Sequence, residues 1–154
     1  MQKKIKLIKI FKLIFFVLIF NTHLLANENN FLTLRNEKVN LRQGPSFDHP
    51  IKLFYKKKYL PVKIIDQFDN FRKILDHENN SGWIHISQLS KRKAGINIRE
   101  NALVFNSPTL YSKPIVRLEK GKLCIVKKCK DNWCKISLEG YQGWIEKNNL
   151  WGLL

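Results

Sequence analysis

Beyond residue 26, the side chains best suited to chemistry in this 154-residue chain are three cysteines, Cys124, Cys129 and Cys134, and three histidines, His49, His77 and His85. A structural zinc centre would take all three thiolates and one imidazole. The spacing, however, is Cys-x4-Cys-x4-Cys rather than the Cys-x2-Cys knuckle. A catalytic thiolate–imidazole pair also needs a third group to orient the base. The histidines lie in a different half of the chain from the cysteines, with no such group in evidence. No Ser/His/Asp set, paired carboxylates or phosphate-cradling glycine loop is present either. The expectation is therefore a non-enzyme with no metal and no cofactor.

What remains for the cysteines is a crosslink. Cys129 and Cys134 flank the turn-forming pair Asp131-Asn132, between the apolar runs Leu123–Val126 and Trp133–Leu138. With Asp131 and Asn132 as a two-residue hairpin loop, Lys130 pairs with Trp133 and Cys129 stands opposite Cys134. Such a non-hydrogen-bonded pair has Cα atoms about 4.5 Å apart, within reach of a disulfide. A loop this short gives about 2 kcal/mol of stabilisation from chain entropy. A disulfide between Cys129 and Cys134 implies an oxidising compartment. Cys124 is left as a buried thiol packing as a small hydrophobe.

The elements that must carry these groups are read from an internal repeat. Asp69-Asn70-Phe71-Arg72-Lys73-Ile74 returns as Asp131-Asn132-Trp133-Cys134-Lys135-Ile136 at an offset of 62, and Gly82-Trp83-Ile84 as Gly143-Trp144-Ile145 at 61. Pro45 and Pro108 match at 63, and Pro50-Ile51 and Pro114-Ile115 at 64. Four matches in order, with offsets drifting by three residues, imply two copies of one small unit with short loop insertions. The pattern within each copy is short β-branched and aromatic runs, broken by Gly, Pro and Asn-rich turns, with no sustained helical period. An all-β chain follows.

Ahead of the repeat, Lys3, Lys4, Lys6, Lys9 and Lys12 precede the apolar run Leu13–Phe20, and Ala26 supplies a small residue at a cleavage site. A basic start, a short apolar stretch and a small residue describe a secretory signal peptide over residues 1–26. Eight apolar residues make about 12 Å of helix against roughly 30 Å of hydrocarbon, so a membrane anchor is the lesser reading. The expected product is exported and periplasmic, meeting the membrane only transiently through that segment. Removing it takes away five lysines and no carboxylates, leaving 23 basic against 12 acidic side chains. Much of this excess reads as solvated lysine. Lys56-Lys57-Lys58 and Lys91-Arg92-Lys93 are denser than scatter and favour anionic partners. The export signal and the lack of any recognised binding motif speak against nucleic acid.

The expected layout is a short polar leader over 27–37, a first domain over 38–90, a basic connector over 91–101 and a second domain over 102–154. Within the connector, Ile96-Asn97-Ile98 alternates as a strand would.

The stretch Val39-Asn40-Leu41-Arg42-Gln43-Gly44-Pro45-Ser46, then Pro50-Ile51 and Gly82-Trp83-Ile84, resembles the opening and closing signatures of bacterial SH3-like domains. The chain is most similar to a tandem, exported SH3-like family of proteobacterial envelope proteins. That family also shows a Tyr-basic-basic-x-Leu-Pro-Val segment, matched by Tyr55 to Val62 with one extra residue, and Cys-x4-Cys in the second copy. The resemblance implies a small, strongly bent barrel of five to six strands per copy. It further implies a role like that of related domains, which hold cell-wall peptides, often beside a hydrolase. The second copy departs from the opening signature: Val104-Phe105-Asn106-Ser107-Pro108 lacks the Arg and the Gly.

A barrel of this kind can hold an extended peptide in a shallow, aromatic-lined groove. The candidate ligand-binding residues are Arg42, Tyr55, Tyr59, Trp83, Tyr111, Tyr141 and Trp144, with Phe71 and Trp133 at matched positions. Tyrosines suit a groove wall because they are amphipathic, whereas Trp83 and Trp144, between a turn glycine and Ile, also fit interior packing. Arg42 can meet a wall-peptide carboxylate or form an internal ion pair with Asp69 or Asp76. The expected function is a periplasmic binding module for peptidoglycan peptide or an envelope protein. The alternatives are an adaptor without wall affinity, working through a sheet edge or Ile96–Ile98, and an accessory subunit of a wall hydrolase. Oligomeric state is not readable from the sequence.

Overall fold

The computed structural model describes residues 30–153, so the expected signal peptide lies outside the described residues. Fourteen strands form two sheets. The first unit comprises β1 (Phe31–Leu34), β2 (Val39–Arg42), β3 (Ile51–Tyr55), β4 (Pro61–Phe68), β5 (Phe71–Leu75), β6 (Ser81–His85) and β7 (Leu89–Ser90). The second comprises β8 (Ala94–Asn97), β9 (Ala102–Phe105), β10 (Pro114–Leu118), β11 (Leu123–Lys130), β12 (Trp133–Leu138), β13 (Tyr141–Glu146) and β14 (Leu150–Trp151). Sheet order is β3-β2-β6-β5-β4-β1-β7 in one and β10-β9-β13-β12-β11-β8-β14 in the other. Adding seven to each label in the first gives the second, which is the duplication seen as topology. Every pairing is antiparallel.

Local physics repeats with the topology. The register shifts between Ile64 and Asp66 in β4 and between Val126 and Lys128 in β11, bending both long strands at matched points. Asp69 (φ 45°) and Asp131 (φ 51°) take the left-handed conformation at the first loop residue of their hairpins, where Asp and Asn are tolerated. The repeated glycines have one cause. A Cβ on Gly82 would lie 2.7 Å from the Arg42 carbonyl oxygen, and one on Gly143 2.7 Å from that of Phe105. β2 and β9 cross β6 and β13 too closely for any side chain there.

Each unit has its own core. Leu34, Val39, Leu41, Val62, Ile74, Ile84 and Leu89 form the first, and Ala102, Val104, Cys124, Ile136, Ile145 and Leu150 belong to the second. Ile96 ties them together: its strand pairs within the second sheet while its side chain packs in the first core. Gly152 abuts Pro61, and the Phe31 and Trp151 rings meet edge to face at 4.9 Å.

Three expectations need correction. The sheets have seven strands rather than five or six, and their end strands do not pair with each other, so neither closes as a barrel. The stretch expected as a polar leader, 27–37, holds β1, and the one expected as a connector, 91–101, holds β8. Both strands insert between two partners of their own sheet, β1 between β4 and β7 and β8 between β11 and β14. The asparagines before Phe31 and the basic run before Ala94 masked these short apolar stretches. Finally, because β8 is paired along both sides, the Ile96–Ile98 segment offers no free edge to an adaptor's partner.

Candidate functional site

The loop joining β2 to β3 folds over the end of the β5–β6 hairpin. Phe47, at its tip and 59% exposed, stands 5.2 Å from Phe71 and 5.0 Å from His85, and those two rings are 5.1 Å apart. Arg42 borders this three-ring shelf, with its guanidinium carbon 5.5 Å from the Phe47 centroid. The same guanidinium donates to the Phe47 and His49 carbonyl oxygens at 2.9 and 2.8 Å. It therefore pins the loop against the sheet, and the ion pair expected with Asp69 or Asp76 is not formed. The reason is local: Asp76 is buried and already accepts four hydrogen bonds, from the Glu78 and Asn80 backbone N–H groups, the Asn80 side chain and the Tyr55 hydroxyl.

Two serine–histidine contacts in this region are structural in form. Ser46 Oγ lies 2.9 Å from His49 Nδ1 and also accepts from the Asp48 N–H, a local turn motif. His85 Nδ1 accepts from the Ser87 N–H and lies 2.7 Å from Ser87 Oγ, capping the 3-10 turn Ile86–Gln88.

The second unit builds the same shelf from other side chains. Leu110 replaces Phe47 and is 63% exposed, Trp133 replaces Phe71, and Glu146 replaces His85. They line a cleft of about 400 Å³ with Pro108 and Tyr111. Where Arg42 pairs with Trp83, Phe105 pairs with Trp144, and the Phe105 ring meets Trp133 edge to face at 5.6 Å. The Thr109 hydroxyl takes the Tyr111 N–H as Ser46 takes that of Asp48.

The other candidate residues do not converge. Tyr55 packs against the first core with its hydroxyl on Asp76, and burial together with that carboxylate pushes its phenol well above the ordinary range. Tyr59 sits between Lys58 and Arg92. Tyr111 is fully exposed, and Tyr141 half exposed beside the Glu139-Gly140 turn. Trp83 and Trp144 lie half-buried on the sheet face opposite the cores, since their neighbours Ile84 and Ile145 point inward. The interior packing considered for them is not what they do; Lys128 covers the Trp144 ring at 5.6 Å. Sequence reasoning missed Phe47 and weighed His85 only as a metal ligand or catalytic base. The signal was available, because Phe47 and Leu110 are large apolar residues at the same offset as Pro45 and Pro108.

The crosslink is as expected. Lys130 pairs with Trp133, Cys129 pairs with Cys134, and the two are joined as a disulfide with Cα atoms 4.0 Å apart. Cys124 is fully buried in the second core, where Val62 sits in the first. Burial pushes its thiol up to about 12, and its S–H donates to the Gly95 carbonyl oxygen at 3.3 Å.

Comparison with known proteins bears on the fold. Among solved structures, NlpC2 and NlpC1 from Trichomonas vaginalis align over 79% of this chain at 15% and 14% identity, with TM-scores of 0.37 and 0.36. The chain spans about half their length, 47% and 45%. No curated protein matches it. The bacterial SH3 domain family matches twice in tandem, over residues 35–91 and 99–152, one segment on each seven-stranded sheet. By that double match, which takes in most of its length, this chain belongs to the bacterial SH3 domain family.

Proposed function

We propose that the protein is a non-enzymatic binding module of the bacterial cell envelope that holds an extended cell-wall peptide on the shelf of its first unit. The carrying observation is the Phe47–Phe71–His85 ring cluster with Arg42 at its rim. An exposed Phe47 ring, backed by buried Phe71 and half-buried His85 and set beside a guanidinium, suits a short peptide that ends in or carries carboxylates, as peptidoglycan stem peptides do. Arg42 uses one terminal nitrogen, Nη1, on the loop carbonyls, which leaves the other to face a ligand. Membership of a family of binding domains, an export-type N-terminus and the cationic surface all agree with this role.

The test is co-sedimentation of the protein with peptidoglycan sacculi across a salt series. Pelleting that persists at high salt is the expected result. Pelleting that vanishes with screening reduces the interaction to net charge, and no pelleting at low salt removes the wall as ligand. A second reading, an adaptor for an envelope protein, is favoured by one feature. β3 is a sheet edge carrying exposed Ile51 and Phe54, a surface that can accept an added strand. A single stoichiometric partner recovered from envelope extract, together with absent wall binding, would select it.

A further inference from the structure

The two dense basic clusters of the sequence meet at one ring. Lys58 Nζ and the Arg92 guanidinium carbon each lie 5.3 Å from the centroid of Tyr59. Just before it in the chain, Lys38 Nζ and Lys56 Nζ lie 5.1 and 5.4 Å from the Phe54 ring. Lys56, Lys57, Lys58, Lys91, Arg92 and Lys93 are all exposed. Among the described residues the ion pairs are His77–Glu78 and Lys122–Glu139, so none of these six cations is neutralised by a carboxylate. Gathered like charges repel, and an anion from outside relieves that repulsion.

Backbone conformation marks the same spot. Tyr59 has φ 63°, and its N–H donates to the Leu34 carbonyl at 2.8 Å. The matching residue in the second unit is Gly121, at φ 82°, whose N–H donates to the Asn97 carbonyl at 2.8 Å. The fold wants glycine here, and a bulky residue in this region is disfavoured. The first unit nevertheless places an aromatic ring at this position, between two cations.

Arg92, which stacks on Tyr59, also lines a groove of about 420 Å³ together with Lys91, Lys93 and the apolar Phe31, Leu32 and Leu153. Phe31, the first residue of β1, lines this groove.

We infer that this face docks on an anionic phospholipid membrane. Lys58, Arg92 and their neighbours meet the lipid phosphates. Tyr59 and Phe54 sit at headgroup depth, where a ring with one wet and one apolar side is favoured. The apolar groove shares Lys91, Arg92 and Lys93 with this cationic face. The second unit lacks the device, having Gly121 for Tyr59 and Glu119 in place of a basic residue. This site is separate from the peptide shelf, and its test is independent of wall binding.

The experiment is flotation of the full chain with phosphatidylcholine vesicles, with and without phosphatidylglycerol, at low and high salt. The wild type is expected to bind the anionic vesicles more tightly, in a salt-sensitive way. Lys58→Gln and Arg92→Gln should each weaken that increment roughly fivefold. Tyr59→Gly should weaken it as well while leaving the melting temperature unchanged or raised, which separates loss of docking from loss of fold. The N-terminal lysines contribute alike to wild type and variants, so they cancel in the comparison. Equal binding to both vesicle types, or an increment untouched by all three substitutions, would overturn the inference. So would displacement by a single-stranded oligonucleotide that depends on Tyr59 and Arg92, which would make nucleic acid phosphate the ligand instead.

Discussion

Aligned by register, Arg42 falls on Phe105, Phe47 on Leu110, Phe71 on Trp133 and His85 on Glu146, while Gly82 falls on Gly143 and Asp69 on Asp131. The two groups behave differently. The crossing glycines, the left-handed Asp69 and Asp131 and the bulges of the two long strands repeat unchanged. Most core positions keep their apolar character and change in size, as Leu41 to Val104 and Val62 to Cys124, whereas buried Leu34 falls on Asn97, whose amide donates to backbone carbonyl oxygens. Shelf positions change in charge as well: the first shelf has a guanidinium and an imidazole, the second a carboxylate and no cation. One scaffold therefore presents two chemically different surfaces, and the carboxylate-bearing ligand proposed above would suit the first and not the second.

The units also differ in what holds their hairpins. The second staples β11 to β12 with Cys129–Cys134, where the first has the register pair Gln67–Arg72. The first joins β5 to β6 by a loop organised on buried Asp76. The second uses the tight turn Glu139-Gly140, with φ of 46° and 88°. Such a mirror-image turn matches the twist of its strands with no side-chain support.

These differences set the expected size of perturbations. The largest effect belongs to Ile96, fully buried where the units meet, its strand in the second sheet and its side chain in the first core. Ile96→Ala should cost about 2–5 kcal/mol in urea unfolding and loosen both halves, as read by amide exchange; protection lost in only one half would show that the units are energetically separate. Next, Asp76→Ala should cost about 1–3 kcal/mol by stranding buried donors, whereas Glu139→Ala at the matched corner should stay within about 0.5 kcal/mol. Equal costs would break the contrast between a supported loop and a self-sufficient turn. Reducing Cys129–Cys134 should then remove about 2 kcal/mol, and a Gln67→Cys, Arg72→Cys pair probes whether the first hairpin accepts the same staple.

The smallest effect is Cys124→Val, which places in the second core the residue that Val62 supplies to the first and should shift stability by no more than about 1 kcal/mol near neutrality. It should matter more in alkali. The folded thiol stays protonated up to about 12 while the unfolded one ionises from its ordinary value of 9.0, so the unfolded state sheds protons first and the wild type loses stability as pH rises between those values. The raised Tyr55 phenol adds a loss of the same sign above 10.0 that both proteins share. Parallel curves for wild type and Cys124→Val above pH 9 would contradict the burial that raises the thiol.

Much of the fold was legible in the sequence because the repeat aligned turn chemistry with strand periodicity. Asp131-Asn132 between two apolar runs gave the hairpin, its register and hence the disulfide. Asp69-Asn70 gave the matching hairpin. The strands that escaped were short or tucked behind polar runs. β1 follows a string of asparagines, and β7 and β14 have two residues each. Barrel closure was misjudged because nothing local in β3 or β7 states whether two distant edges meet. The binding surface was the least legible part. Tyr55 and Trp83 look like groove residues by type, yet the placement of Trp83 follows from strand parity and that of Tyr55 from a buried carboxylate, Asp76, 21 residues further along the chain. Phe47 sits in a loop, where the sequence has no period to announce which way a side chain points.

The central claim is that the first shelf, and not the second, holds the ligand. The most direct measurement is sacculus co-sedimentation at moderate salt for two matched loop-tip variants, Phe47→Ala and Leu110→Ala, each first checked for an unchanged unfolding midpoint. The expected result is that Phe47→Ala abolishes most pelleting and Leu110→Ala leaves it intact. Equal pelleting by both variants, or a greater loss from Leu110→Ala, would contradict it.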